Sequence, residues 1–182
     1  MRELSLNVLD IAENSFKAKA ETVEISIIQK DNLLTIVIKD DGVGMDADFL
    51  AKVTDPFTTT RTTRKVGMGI PLFKMVAEQS GGEFKIESLP KKGTTVTATF
   101  KVDNVDRPPL GDIAGTITSI IANLEQSRLI FNFSAFGADF TLDTDEVKKE
   151  LDNIPINTPE ILVFLRDMIN ENIKTNCRGI SL

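Results

Sequence analysis

The chain has 182 residues with 41% hydrophobic and 26% charged content, the profile of a soluble globular protein long enough to bury a core. Its 21 Lys and Arg against 27 Asp and Glu give a net charge of -6 with no long basic run, which excludes nucleic acid as an expected partner. One cysteine, Cys177, excludes an intrachain disulfide. No run reaches the ~20 apolar residues of a membrane span and no apolar leader opens the chain, so a cytoplasmic protein with no membrane partner is expected.

In chain order, residues 8–18 ("VLDIAENSFKA") are predicted to be helical, with Leu6, Leu9, Ala12 and Phe16 as the apolar face. Asn7, Asp10, Asn14 and Lys17 form a second stripe, which is either a wet surface or the wall of a polar site. Alternating residues predict strands at 22–28 and 33–40, joined by a turn. From Asp41 to Gly69 the chain reads as irregular. A helix follows over "IPLFKMVAEQSGG", with Pro71 in its first turn, and then a hairpin of strands at 83–88 and 94–102. Helix, hairpin, loop, helix, hairpin predicts an α+β fold: a two-layer sandwich whose mixed sheet is covered on one face by helices.

Pro108 and Pro109 suggest a boundary, dividing the chain into 1–103 and a smaller α+β unit at 104–182. That unit reads as helix, hairpin with its turn at Gly137 and Ala138, a helix opened by Asp143 and Glu146, and a last helix capped by Thr158. Ile161, Phe164, Leu165 and Met168 on the last helix are expected to be core. The unit carries no catalytic constellation, and partner docking is its hypothetical role.

Three stretches of the first unit carry chemistry. Asp40 continues the apolar period of Leu34, Ile36 and Ile38, so its carboxylate turns toward the core, where it needs hydrogen-bond donors. Gly42 and Gly44 follow at once, suited to a sharp turn or to close approach of a ligand. Thr94 is in phase with Val96, Ala98 and Phe100, at the same sheet end as Asp40. In "DPFTTTRTTRKVGMGIPL", Gly67 and Gly69 lie at a helix start, where free amides favour phosphate, with Arg61, Arg64 and Lys65 just before.

In order, these stretches resemble the ATP-binding motifs of the GHKL superfamily, over roughly residues 4 to 102. That superfamily includes gyrase, mismatch-repair MutL proteins, histidine kinases and anti-sigma-factor kinases. "DIAENSFKAKAETVEISI" looks like its N box, which implies that Asn14 holds magnesium and that Lys17 meets phosphate. "DDGVGM" looks like the adenine motif, with Asp40 accepting from the exocyclic amino group, Gly42 and Gly44 in the turn, and Met45 beside the base. "DPFTTT" is similar to the kinase phenylalanine box through Phe57. "GMGI" matches the second glycine motif at Gly67, Met68, Gly69 and Ile70, although Lys65 stands where kinases often have a glycine. "GGEFKIESLPKKGTTVTATF" resembles the kinase ending and implies Thr94 near the adenine. ATP and Mg2+ are the implied cofactors.

Family members of the gyrase and anti-sigma-kinase type carry a glutamate base four residues before the asparagine. Here that place holds Asp10, one methylene shorter, and a misplacement of about 1 Å can cost on the order of a hundredfold in rate. The chain contains no histidine and has no room before residue 4 for dimerisation helices, so a complete histidine autokinase is not expected. Three readings follow: a regulatory kinase or phosphotransferase acting on a protein partner, a nucleotide-responsive binding module, or a slow ATPase switch. The oligomeric state stays open.

Overall fold

The computed structural model describes residues 3–54, 68–124 and 126–176. The elements are α1 (Leu4–Lys17), β1 (Thr22–Lys30), β2 (Leu33–Asp40), α2 (Ala47–Val53), α3 (Gly69–Gln79), β3 (Phe84–Leu89) and β4 (Gly93–Lys101), then α4 (Ile113–Ala122), β5 (Arg128–Ala135), β6 (Ala138–Asp143), α5 (Thr144–Glu150) and α6 (Pro159–Asn176). The strands form one sheet in the order β3-β4-β2-β1-β5-β6, antiparallel throughout except for the parallel pair β1 and β5. The fold is α+β with a mixed sheet.

Period-two alternation puts one row of side chains from every central strand on a single face. Val23, Ile25 and Ile27 pair laterally with Asp40, Ile38 and Ile36, and these with Thr94, Val96 and Ala98. Helices α1, α3, α4 and α6 supply the residues that cover this face, among them Val8, Phe73, Ile117 and Leu165, all at most 1% exposed. Phe73 packs against Phe84 and Phe100 at 6.1 and 5.8 Å between ring centroids, tying α3 to β3 and β4. The opposite face is polar, with a chain of hydrogen bonds through Glu24, Ser26, Asn132 and Thr141.

The helix over α1 forms with Ala12 buried and Leu9 and Phe16 packed against the core as its spacing implies, and only Leu6 departs from the expected face. Leu6 is 42% exposed, and the face turned to the sheet is Leu4, Val8, Ile11 and Ser15. The i, i+4, i+7 spacing of that set serves as well as the first, and the sheet centres the buried face on it. The stretch read as irregular contains α2, opened by Asp46, whose side chain accepts from the Phe49 amide at 2.8 Å.

Strand β5 lies parallel to β1 in the middle of the sheet, from Thr22 opposite Arg128 to Gln29 opposite Ala135. Residues on both sides of the 103/104 boundary therefore share one sheet and one hydrophobic cluster. A parallel neighbour needs a crossover, and α4 provides it. On α6, Leu165 and Ile169 are buried as the helical spacing requires, but Phe164 is 63% and Val163 61% exposed, so Phe164 is corrected from core to surface. Asp143 caps α5 through the Asp145 amide and also takes the Arg128 guanidinium, which holds its carboxyl below the usual range. Thr158 turns its hydroxyl to the Pro155 carbonyl at 2.6 Å instead of capping α6. No helix among the described residues is long and apolar enough to cross a membrane.

Candidate functional site

The site begins where β2 ends. Asp40 is 8% exposed and its carboxylate collects three donors: Ser15 Oγ at 2.7 Å on Oδ2, and the amides of Gly42 at 3.0 Å and Thr94 at 3.2 Å on Oδ1. These bonds answer the cost of burying a charged group that the sequence pattern raises. Asp40 and Thr94 are register partners across β2 and β4, and Thr94 and Ser88 are partners across β4 and β3. Three polar residues therefore stand in one row at one end of the sheet. Ser88 Oγ accepts from the Met45 amide at 2.8 Å and contacts Gly93 O and Thr94 Oγ1, each at 2.9 Å.

The loop after Asp40 crosses this row closely. Gly44 has φ +65, and a Cβ there would lie 1.9 Å from the Leu89 carbonyl oxygen; Gly93 has φ +89, and a Cβ there would lie 1.9 Å from the Asp40 carbonyl oxygen. Only glycine meets both the left-handed backbone and the contact at either position. Lys91 N–H donates to Val43 O at 2.7 Å and completes the joint between the loop and the β3–β4 turn.

Helix α1 carries the site away from the sheet. From Ser15, which holds Asp40, to Asp10 the helix rises roughly 7 Å. Asp10 stands against the start of α3: a Cβ on Gly69 would lie 3.1 Å from Asp10 Cβ and 3.5 Å from its Oδ2. Helix α3 opens with no side-chain cap among the described residues, which leaves its first amides, lacking an intrahelical acceptor as in every helix, without that partner. Asp10 stays exposed, but partial burial raises its pKa; Glu13 raises it further, and Lys17 opposes them.

Asn14 lies half-buried between the two ends, and its side chain makes no hydrogen bond among the described residues. Lys17 is exposed and ion-paired with Glu13 at 3.0 Å. Met45 packs at the edge of the core through its side chain. Met68 is 61% exposed, whereas Ile70 is buried in the core, so Ile70 offers only its backbone to the helix start. Phe57, Arg61, Lys65 and Gly67 lie outside the described residues. Two residues escaped the sequence reading. Ser15 follows Asn14 on the buried stripe, and Ser88 keeps the inward phase of Phe84 and Ile86, so a hydroxyl breaking an apolar phase was the available signal in both.

A partly buried acceptor row at a sheet end, joined by one helix to an acid beside an uncapped helix start, defines a class of α+β proteins built around a polar site between sheet and helices. The family profile described as histidine kinase-, DNA gyrase B-, and HSP90-like ATPase matches residues 1–104. The chain belongs to this family.

It is similar to the sensor histidine kinase WalK of Bacillus subtilis, 33% identical over 103 residues, which are 51% of this chain and 17% of that protein. It is also similar to the signal transduction histidine-protein kinase AtoS of Escherichia coli, 29% identical over 104 residues, 57% of this chain and 17% of that protein. The chain thus spans less than a fifth of these curated relatives. Among solved structures, the N-terminal domain of a DNA repair protein shares the fold at a TM-score of 0.55 and 15% identity, covering 78% of this chain and 52% of that one.

Proposed function

We propose that the chain is a magnesium-dependent ATP-binding protein that delivers the γ-phosphate to an acceptor outside itself, as a regulatory kinase or phosphotransferase acting on a protein partner in the cytoplasm. The observation that carries this reading is the placement of Asp10 beside the uncapped start of α3, with Asp40 and Thr94 at the sheet end, held by Ser15 roughly 7 Å further along α1. Purine at the Asp40 end and phosphates at the α3 end suit both sets of groups.

Asp40 would accept from the exocyclic amino group of the base. Met45 would lie beside the ring and the α3 amides would meet the phosphates. A magnesium ion carried by a triphosphate needs only one or two protein oxygens, and the Asn14 amide oxygen, without a hydrogen bond among the described residues, fits that demand. Asn14 would hold such an ion, whose charge would offset that of the phosphate oxygens.

Asp10 would take the proton from a water or an acceptor hydroxyl as its oxygen bonds to the γ-phosphorus. The bond between that phosphorus and the β,γ-bridging oxygen breaks and ADP leaves. A pKa raised by lost hydration makes this carboxylate a stronger base than an ordinary one. The chain contains no histidine, so an accepting histidine would have to lie outside these residues, and serine or threonine acceptors remain open to the same chemistry.

A second reading, a nucleotide-responsive binding module with little catalysis, is favoured by one feature: the aspartate at position 10 is one methylene short of the family's glutamate. Single turnover with magnesium and γ-labelled ATP, run beside Asp10→Asn and Asn14→Ala, separates the two. Label appearing as phosphate or on a protein, and lost in Asp10→Asn, supports the transfer reading. Tight ATP binding with the label left in place overturns it in favour of the module.

A further inference from the structure

Ser88 has no part in the function proposed above, yet its hydroxyl is fully committed. It accepts from the Met45 amide at 2.8 Å and reaches Gly93 O and Thr94 Oγ1 at 2.9 Å each. A serine hydroxyl has one proton. The Gly93 oxygen is a carbonyl and can only accept, so that proton goes to it. With all three contacts made, the bond between Ser88 and Thr94 is donated by Thr94. Its own proton is then spent, and in any further bond Thr94 Oγ1 can only accept.

Asp40, its neighbour in the register, is an acceptor too, as its three donors show. Two acceptors side by side suit a group with two N–H bonds. A ring carbonyl in the same place would face oxygen on both sides with no proton between. We propose that Ser88, by holding the Thr94 proton, makes Thr94 a second acceptor beside Asp40 and so sharpens the preference of the site for a 6-amino purine over a 6-oxo purine.

This inference rests on the nucleotide reading above, and it concerns residues that touch neither phosphate nor metal. Removing the Ser88 hydroxyl frees the Thr94 proton to turn to a base oxygen. Removing only a structural contact would weaken every purine nucleotide alike. Base preference therefore distinguishes a proton-directing role from a scaffolding one.

The test is calorimetric titration of the full chain with the diphosphates of adenosine and inosine, in magnesium, for wild type, Ser88→Ala and Ser88→Thr. Wild type is expected to favour the adenosine nucleotide at least about tenfold, the effect of one mispaired buried hydrogen bond. Ser88→Ala should lower that ratio about tenfold, and Ser88→Thr, which keeps a hydroxyl, should preserve it.

If Ser88→Ala weakens both nucleotides equally, the inference is overturned and the nucleotide reading stands. If wild type binds neither, both fall. Should Ser88→Ala fail to fold, Thr94→Val reads the same property: it should weaken the adenosine nucleotide and leave the inosine one unchanged, and equal weakening overturns the proposal.

Discussion

Thr94 faces Asp40 across the β2–β4 ladder and donates its backbone N–H to Asp40 Oδ1 at 3.2 Å, joining residues 54 positions apart in the chain. With Ser15 Oγ on the other oxygen at 2.7 Å, the carboxylate is fixed from two directions, by a strand and by a helix. Asp40→Asn keeps the shape, and its amide can still accept from the two backbone N–H groups on one side while meeting the Ser15 hydroxyl on the other. The fold is therefore expected to persist, with an unchanged far-ultraviolet circular dichroism spectrum. What changes is the acceptor offered to a base, and titration should show adenosine diphosphate binding weakened ten- to a hundredfold. Unaltered affinity would remove Asp40 from the base site.

Asp10 gives a prediction in pH. Its pKa is raised in the folded chain from 3.8, so the native state holds its proton more tightly than the unfolded one. Between the two values the unfolded state binds fewer protons, and stability falls as pH rises through that window. Asp10→Asn removes the charge that causes this. The variant should melt at or above the wild-type temperature at neutral pH, and the difference should shrink as pH is lowered toward 3.8. The same variant should lose phosphate release, so activity and stability move in opposite directions. A variant less stable than wild type at pH 7 would contradict the desolvation account.

Gly93 is where the β3–β4 turn meets the end of β2. A methyl group there would lie 1.9 Å from the Asp40 carbonyl oxygen, on a backbone with φ +89. Strain of this kind costs about 1–3 kcal/mol before the contact is counted. Gly93→Ala should lower the unfolding free energy by at least that amount, read as a lower denaturant midpoint. It should also weaken nucleotide binding, because Gly93 O is the acceptor that orients Ser88.

Asn7 points the other way. It is 1% exposed in α1, and neither its side-chain oxygen nor its nitrogen has a hydrogen-bond partner among the described residues. A buried polar group without a partner costs about 1–3 kcal/mol, and a leucine of similar size would remove that cost. Asn7→Leu is expected to raise stability by about 1 kcal/mol, read as a higher urea midpoint with an unchanged slope. A lower midpoint would show that the amide is satisfied in solution.

The sequence by itself determined the parts that depend on short-range periodicity and on motif order. Alternation in 33–40 placed Asp40 on the inward side of β2, the phase of Thr94 with Val96 put it on the same face, and the succession of motifs was enough to name the family resemblance. Each of these needs only neighbours along the chain. Tertiary structure decided what depends on distant segments meeting. On α1 the expected row keeps Ala12, Leu9 and Phe16 at the core, but the sheet centred the buried face on Leu4, Val8 and Ile11 and left Leu6 42% exposed.

Residues 128–135 read locally as half of a separate hairpin, and only lateral pairing with β1 made them an inner strand of the common sheet. Phe164 and Leu165 both fit the helical spacing of a buried face, and packing against the sheet and α4 took only Leu165. The proton carried by Thr94 was beyond any pattern, because it follows from Ser88, Gly93 and Met45 converging from two strand ends and a loop. Hydrogen-bond direction is set by which acceptors come within 3 Å, and that is a property of the folded chain alone.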